Sequence, residues 1–128
     1  MKIRSCLYVK AAKGKGNGVF TSEPIAKGTT IEVSPVIVLS KKESDLADDT
    51  VLRDYTFLWG ERQVKGCIAL GYCSVYNHSY TPNCENEMDF EKDTMSIMTL
   101  RDVRAGEELC INYNGDLDDD EPLWFKVK

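Results

Sequence analysis

Residues 76–84 read Tyr-Asn-His-Ser-Tyr-Thr-Pro-Asn-Cys, and the interpretation of the whole chain starts from this stretch. It surrounds His78, the single histidine among 128 residues, with polar residues that favour turns. Taken alone, the stretch is most simply a capped turn with a hydrogen-bonded histidine. A functional interpretation therefore needs further motifs elsewhere in the chain.

Two other segments hold residue types that ordinary packing does not require. Residues 14–18 read Gly-Lys-Gly-Asn-Gly, and such a loop can bring backbone groups against a ligand because glycine has no Cβ. A tight hairpin turn is the alternative for this segment. Residues 106–113 read Gly-Glu-Glu-Leu-Cys-Ile-Asn-Tyr, which predicts a turn entering a strand that ends on a tyrosine. An edge strand with a packed tyrosine is the alternative there.

The composition is that of one globular domain, with 42% hydrophobic and 29% charged residues. The longest aliphatic run, residues 36–39, is far shorter than a membrane span. No signal peptide is recognisable, so we expect an intracellular protein, cytoplasmic or nuclear. The five cysteines are odd in number and contain no C-x-x-C pair, which favours buried free thiols over disulfides or a structural zinc site.

The net charge of −5 is unevenly distributed, because residues 1–28 are basic and the remainder is acidic. Direct binding of nucleic acid is disfavoured, since phosphate neutralisation requires a basic surface. A small anion near the N-terminal segment and a cationic partner elsewhere both remain possible.

The pattern of apolar residues predicts a mainly β fold. Short strands are expected at residues 7–10, 19–21, 67–70 and 109–113, and the glycine-rich residues 11–18 are expected to form neither a helix nor a plain strand. The β-branched segment 29–39 predicts one or two strands broken at Pro35. Alternation from Cys84 to Glu91 predicts a strand that pairs with residues 95–100 in a hairpin, with Cys84, Asn86, Met88 and Phe90 on one side.

One helical stretch is predicted to begin after Ser40. Ser40 and Glu43 have the spacing of a capping box. Residues 48–50, Asp-Asp-Thr, predict a split into two short helices, and the apolar spacing of three and four continues through Tyr55 to Trp59.

In this order and spacing, the three motifs resemble those of the SET-domain protein lysine methyltransferases. Residues 77–83 match the family's N-H-S-x-x-P-N motif at every fixed position, and residues 106–113 match its G-E-E-L-x-x-x-Y motif. Residues 16–20, Gly-Asn-Gly-Val-Phe, resemble its G-x-G loop with a following hydrophobic pair.

The resemblance implies a SET-domain fold of several small, short-stranded sheets, one or two short helices and a C-terminal pseudoknot. In that pseudoknot the C-terminal segment is threaded through a loop near the Asn-His motif, a rare exception to unthreaded topology. We expect a single SET domain over residues 1–128, with a motif-bearing core at about 7–115 and an acidic tail at 116–128.

The resemblance also implies methyl transfer from S-adenosylmethionine to the Nε atom of a lysine in a protein substrate, histone-like or otherwise basic. Residues with the family's cofactor-binding role are Gly16, Asn17, Gly18, Asn77 and His78. Tyr113 matches the family's catalytic tyrosine.

The transfer is an in-line displacement that needs positioned reactants and a neutral amine, but no metal. A narrow aromatic channel would favour the neutral amine by desolvation. The candidate channel residues are Tyr55, Asn86, Ile111 and Trp124. For Tyr55, a place in the core on the face of a helix is an equal alternative. For Trp124, a hydrophobic anchor on the domain surface is an alternative at least as well supported.

Two departures from the nuclear family members limit what the resemblance implies about partners. Tyr80 stands where many of them have a zinc-binding cysteine, and no cysteine follows Cys110. The chain is therefore similar to the smallest members, bare catalytic cores of which some dimerise, so a homodimer is possible. The acidic residues of 85–91 and 116–121 suit a basic peptide, or are simply solvated. The rival function is a catalytically inactive SET-like module that binds a basic peptide or S-adenosylmethionine.

Overall fold

The computed structural model describes residues 1–113 of the chain. Within them, strands alternate with one α-helix, α1 (Lys41–Asp48), and one 3₁₀ helix (Val51–Tyr55). The strands are β1 (Lys2–Ile3), β2 (Leu7–Ala12), β3 (Gly16–Thr21), β4 (Thr30–Leu39), β5 (Thr56–Trp59), β6 (Lys65–Ala69), β7 (Asn77–His78), β8 (Cys84–Asp89), β9 (Thr94–Thr99) and β10 (Glu108–Ile111). The predicted mainly β fold is confirmed.

The strands form two sheets. The larger sheet has the order β5-β6-β4-β9-β8, and β1 pairs with β4 beside this path. The smaller sheet has the order β2-β3-β10-β7. Its last pair, β10 with β7, is parallel, whereas every other pair of described strands is antiparallel.

Strand β4 runs unbroken through Pro35, so the predicted break at this proline is wrong. The strand changes partner there: Thr30–Pro35 pair with β9, and Val36–Leu39 pair with β6. The Pro35 carbonyl accepts a hydrogen bond from the Leu70 amide at 3.0 Å. A proline costs a strand one N–H donor, and here it lies where the two ladders meet.

The glycine-rich segment is part of a hairpin, so the expectation that it forms no plain strand is wrong. Gly16 and Gly18 belong to β3, which pairs with β2 along its whole length from Leu7↔Thr21 to Ala12↔Gly16. The turn between the strands includes Gly14 with φ of 74°, a conformation that favours glycine. The partner strand β2 supplies the ladder, which outweighs the weak strand propensity of glycine.

The helical stretch begins as predicted. The Ser40 side chain accepts from the Glu43 amide, and the Glu43 carboxylate accepts from the Ser40 amide, so the capping box is confirmed. The split into two helices is also confirmed. The helical spacing does not extend to Trp59, however, because Thr56–Trp59 form β5 against β6. Thr, Phe and Trp are strand formers, and a sheet edge is available to them.

The hairpin of β8 and β9 is confirmed, with Cys84 opposite Thr99 and Asp89 opposite Thr94. The strand ends at Asp89, so Phe90 does not continue the predicted face. The Asp89 carboxylate accepts from the amides of Glu91 and Lys92, both at 3.0 Å, and thereby starts the turn.

One buried cluster takes side chains from both sheets and forms the core. Its members include Leu7, Val19, Ile31, Met95, Ile97, Leu109 and Ile111. All five cysteines are unpaired and four of them are buried, as predicted. Among residues 1–113, no helix is both long enough and apolar enough to cross a bilayer.

Replacement of Ile97 by alanine should lower the free energy of unfolding by about 2–5 kcal/mol, because this side chain is completely buried in β9. The matched control is Ile37→Ala in β4, where half of the side chain is exposed. We expect the control to cost less than about 1 kcal/mol. Urea unfolding of both variants measures the difference, and equal losses would contradict the assigned core.

Candidate active site

The parallel pairing of β7 with β10 brings the central and C-terminal motifs together. Cys110 lies opposite Asn77, and Ile111 lies opposite His78. The ladder continues past the strand end, where the Ser79 amide donates to the Ile111 carbonyl at 2.9 Å. This pairing is the contact that a C-terminal pseudoknot requires, while the threading itself stays a prediction.

The Asn83 side chain secures β10 from the other end of the central motif. Its amide nitrogen donates to the Glu108 carbonyl at 2.8 Å, and its amide oxygen accepts from the Cys110 backbone at 2.8 Å. The buried amide therefore acts like one more residue of a neighbouring strand. Residues 77–83 hold β10 at both ends.

His78 and Tyr113 are in direct contact. The Tyr113 backbone N–H donates to His78 Nδ1 at 2.9 Å, and the two rings lie 5.2 Å apart between centroids. The Tyr113 hydroxyl donates to the carbonyl of Tyr76 at 2.6 Å. Both the backbone and the hydroxyl of Tyr113 are thus fixed by residues 76–78.

His78 is a neutral imidazole in this environment. Burial lowers the pKa of its side chain, and the nearby positive charge of Lys15 lowers the pKa further. Because Nδ1 accepts a hydrogen bond, the proton of the neutral ring lies on Nε2. Nε2 is buried and has no hydrogen-bond partner within residues 1–113.

Asn77 is held by the first and third motifs together. Its amide nitrogen donates to the Asn17 carbonyl at 3.1 Å and to the Glu108 carboxylate at 2.7 Å. Lys15 pairs with the same carboxylate at 3.6 Å. A Cβ on Gly18 would lie 2.5 Å from Glu108 Oε2 and 2.9 Å from Asn77 Nδ2, so any larger residue here would force one of these side chains to shift.

A cavity of about 480 Å³ opens beside these residues. This volume is within the range of small-molecule sites. The cavity is lined by Val9, Lys15, Gly16, Asn17, Asp54, Tyr55, Ser74, Val75, Asn77 and Tyr113. The structure therefore brings Gly16, Asn17 and Asn77, three of the five predicted cofactor-binding residues, into one cavity with Tyr113.

The other two predicted cofactor-binding residues, Gly18 and His78, do not line the cavity but contact residues that do. Gly18 is buried against Asn77 and Glu108, and His78 is buried against Tyr113. They contribute by holding the lining residues.

The predicted channel residues are dispersed. Tyr55 lines the cavity and is 45% exposed, so it is not part of the core. Asn86 lies on β8 with its amide 3.9 Å from the Met95 sulfur, and it does not line the cavity. Ile111 is completely buried in the core. Trp124 and the acidic tail lie outside the described residues.

Tyr113 is an uncharged phenol near neutral pH. Burial raises the pKa of its hydroxyl to about 12, and the neighbouring Cys110 and Glu108 raise the pKa in the same direction. The hydroxyl can therefore donate one hydrogen bond while its oxygen accepts another.

Sequence reasoning missed four polar residues of the site: Lys15, Asp54, Ser74 and Glu108. Lys15 lies in the first motif and Glu108 in the third, but no local pattern indicates that these two side chains form an ion pair. Asp54 and Ser74 come from segments without a motif, and only the fold places them at the cavity. Within the described part of the chain, no three His, Cys, Asp or Glu side chains are grouped to hold a metal ion.

Comparison with known proteins agrees with this geometry. The SET-domain family model matches residues 16–114. The chain therefore belongs to the SET-domain family. It is 41% identical over 125 residues to a Schizosaccharomyces pombe protein named as a histone-lysine N-methyltransferase, H3 lysine-37 specific. That match covers 97% of this chain and 80% of the relative.

Two further relatives support the same enzyme class. A histone-lysine N-methyltransferase of Cryptococcus neoformans, named as H3 lysine-36 specific, is 33% identical across 80% of this chain but only 13% of its own length. A solved structure described as a Plasmodium falciparum histone methyltransferase has a TM-score of 0.63 at 25% identity, covering 87% of this chain and 95% of the other. The family and the protein-lysine methyltransferase class predicted from the sequence are confirmed.

The depressed pKa of His78 predicts an acid-sensitive fold. Between the native pKa and the ordinary value of 6.5, the unfolded chain binds more protons, so stability should fall as the pH falls through this window. Protonation would also remove the Nδ1 acceptor of the Tyr113 amide. Urea unfolding at pH 7.5 and 5.5 should show a drop, and a smaller drop in His78→Gln. An NMR titration of the single histidine with a midpoint at or above 6.5 would contradict this prediction.

Proposed function

We propose that this chain transfers the methyl group of S-adenosylmethionine to the Nε atom of a lysine in a basic protein, with Tyr113 as the catalytic residue. The observation that carries the proposal is the shared cavity, in which Gly16, Asn17 and Asn77 line the same space as Tyr113. SET-domain methyltransferases generally use this cofactor.

The residues at the cavity fit the cofactor. Gly16 has φ of 79° and no atom within 4 Å of where a Cβ would be, so bare backbone faces the open space. Lys15 and Asp54 provide a cation and an anion for an amino acid carboxylate and ammonium. When bound, S-adenosylmethionine supplies a methyl group activated by the sulfonium. Gly16, Asn17 and Asn77 would hold it, with Gly18 and His78 supporting them.

The chain favours the neutral form of the substrate amine. A free lysine has a pKa near 10.4, so only about one in a few thousand is neutral at pH 7. The partly enclosed cavity disfavours the ammonium by desolvation, because burial favours the uncharged form of an amine. The Tyr113 oxygen, whose proton is donated to the Tyr76 carbonyl, presents lone pairs that orient the amine for in-line attack.

Tyr55 is the channel residue best supported by its position, because it lines the cavity and its ring is partly exposed. Asn86, Ile111 and Trp124 stay predictions from the sequence. The proposed extent of the domain, with a core at about 7–115 and an acidic tail, contains the residues matched by the SET-domain family model. The possible homodimer also stays a prediction.

The substrate class follows from the relatives. The S. pombe and C. neoformans proteins are named for lysines of histone H3, so histone H3 is the first substrate to test. A histone substrate also agrees with the acidic net charge of −5 and with a nuclear or other intracellular location. The rival function, an inactive binding module, predicts cofactor or peptide binding without turnover.

Replacing Tyr113 with phenylalanine should lower kcat for histone methylation by at least about a hundredfold, because the oxygen that orients the amine is lost. The affinity for S-adenosylhomocysteine should stay within about tenfold, since the ring remains. Tyr8→Phe is the matched control, because Tyr8 stacks on Phe20 away from the cavity and should keep full activity. The measurement is transfer of a labelled methyl group, with calorimetry for binding. Full activity in Tyr113→Phe would refute the assigned role.

Gly18→Ala tests the proposed cofactor-binding role of Gly16, Asn17 and Asn77 without replacing any residue that lines the cavity. The new Cβ would displace the Glu108 carboxylate or the Asn77 amide, so the dissociation constant of S-adenosylhomocysteine should rise about tenfold or more. Gly28→Ala is the control for the general cost of replacing a glycine: its φ of 79° strains the alanine, but no atom lies within 4 Å of the new Cβ, so the variant should lose stability and keep its affinity. Equal affinities of both variants in calorimetry would contradict the assignment of these residues to cofactor binding.

A further inference from the structure

Glu32 is a buried carboxylate that the chemistry proposed above does not use. It lies near the start of β4 and is only 1% exposed. No residue of the described chain forms an ion pair with it. Burying such a group is costly unless hydrogen bonds replace its water. The position therefore needs an explanation.

Three of the four hydrogen bonds of Glu32 come from one segment, the 71–76 loop (residues 71–76). Its Oε2 atom accepts from the Tyr72 amide at 2.8 Å and from the Cys73 thiol at 3.3 Å. Its Oε1 atom accepts from the Tyr76 hydroxyl at 2.8 Å. Ser34, on the same strand, donates to Oε2 at 2.6 Å. One carboxylate thus holds both ends of the loop.

The loop approaches Glu32 too closely for any residue except glycine at its first position. Gly71 has φ of 63°, and a Cβ there would collide with Glu32 Oε2 and Ser34 Oγ. The loop is consequently built around the carboxylate.

The 71–76 loop ends at Tyr76, which contacts the proposed catalytic residue Tyr113. Tyr76 is completely buried, so its backbone position depends on where its ring and hydroxyl are anchored. Its carbonyl accepts the Tyr113 hydroxyl at 2.6 Å. The next residue, Asn77, faces the cavity, as do Ser74 and Val75 within the loop. A displacement of Tyr76 would therefore move the acceptor that orients the reactive oxygen.

We propose that Glu32 and Tyr76 are positioning residues for methyl transfer: the Glu32 carboxylate anchors the Tyr76 phenol, and Tyr76 in turn fixes the carbonyl that aligns the Tyr113 hydroxyl. This inference rests on the function proposed above. It differs from a purely structural role because its effect passes through one atom, the hydroxyl oxygen of Tyr113.

Tyr76→Phe removes the phenol oxygen and keeps the ring. We expect kcat to fall about tenfold, with KM for histone H3 and the affinity for S-adenosylhomocysteine within about twofold. Tyr72→Phe is the matched control, because the backbone of Tyr72, not its side chain, contacts Glu32. This control should keep its kcat. A Tyr76→Phe variant with kcat within twofold of the unmodified protein would overturn the proposal.

A double-mutant cycle distinguishes a positioning role of Tyr76 from a general disturbance of the protein structure. In a Tyr113→Phe background there is no hydroxyl to align, so adding Tyr76→Phe should lower the residual rate by less than about twofold. Long single-turnover incubations with labelled S-adenosylmethionine measure these slow rates. An equal tenfold loss in both backgrounds would overturn the proposal, since the effect would not pass through Tyr113.

Glu32→Gln provides the conservative rescue. The amide oxygen can accept from Tyr72 and Ser34 while the amide nitrogen donates to the Tyr76 oxygen. The Tyr76 O–H then loses its acceptor, which should lower stability, but the tyrosine oxygen stays anchored and kcat should stay within about threefold. A tenfold loss with an unchanged melting temperature would contradict anchoring by hydrogen bonds. If the unmodified protein neither binds S-adenosylhomocysteine nor transfers methyl, the proposed function fails instead. These two measurements on the unmodified protein therefore distinguish failure of the proposed function from failure of the positioning roles.

Discussion

The short parallel pairing between β7 and β10 is the constraint on which the site depends. A parallel pair cannot be closed by a tight turn, so residues 79–107 must leave and return before Ile111 can lie beside His78. Two residues of strand would be a weak attachment by themselves. The Asn83 amide adds two hydrogen bonds to β10, and the His78 ring adds a third to Tyr113.

This arrangement explains why so many buried polar side chains lie close to the cavity. His78, Asn83 and Glu32 are all buried, and each hydrogen-bonds to backbone atoms, which belong to Tyr113, β10 and Tyr72 respectively. A side chain can satisfy backbone groups where the chain bends too sharply for a ladder. Buried polar networks of this kind fix one geometry, because a displaced partner would leave a polar atom unpaired. Precise placement of Tyr113 is what the proposed chemistry requires.

The parts of the fold that follow from local patterns could be predicted from the sequence. The Ser40–Glu43 capping box and the hairpin of β8 and β9 depend on neighbouring residues, and the structure has both. The strand break predicted at Pro35 and the helix predicted through residues 56–59 were wrong, because in both places the chain pairs with β6, a strand distant in sequence. For the site, the motifs identified Asn77, His78 and Tyr113. The roles of Asp54 and Glu32 depend on contacts across the fold, which carry no local signal.

The electrostatics of the site are consistent with catalysis by position. At neutral pH the rings of Tyr113 and His78 are uncharged, because burial raises the pKa of Tyr113 and lowers that of His78. Neither ring adds a charge that would stabilise the ammonium form of a substrate lysine. The positive charge of Lys15, held 3.6 Å from Glu108, lies on the side of the cavity formed by the glycine strand. In the proposed chemistry the main task of the protein is alignment, to which the buried hydrogen bonds contribute directly.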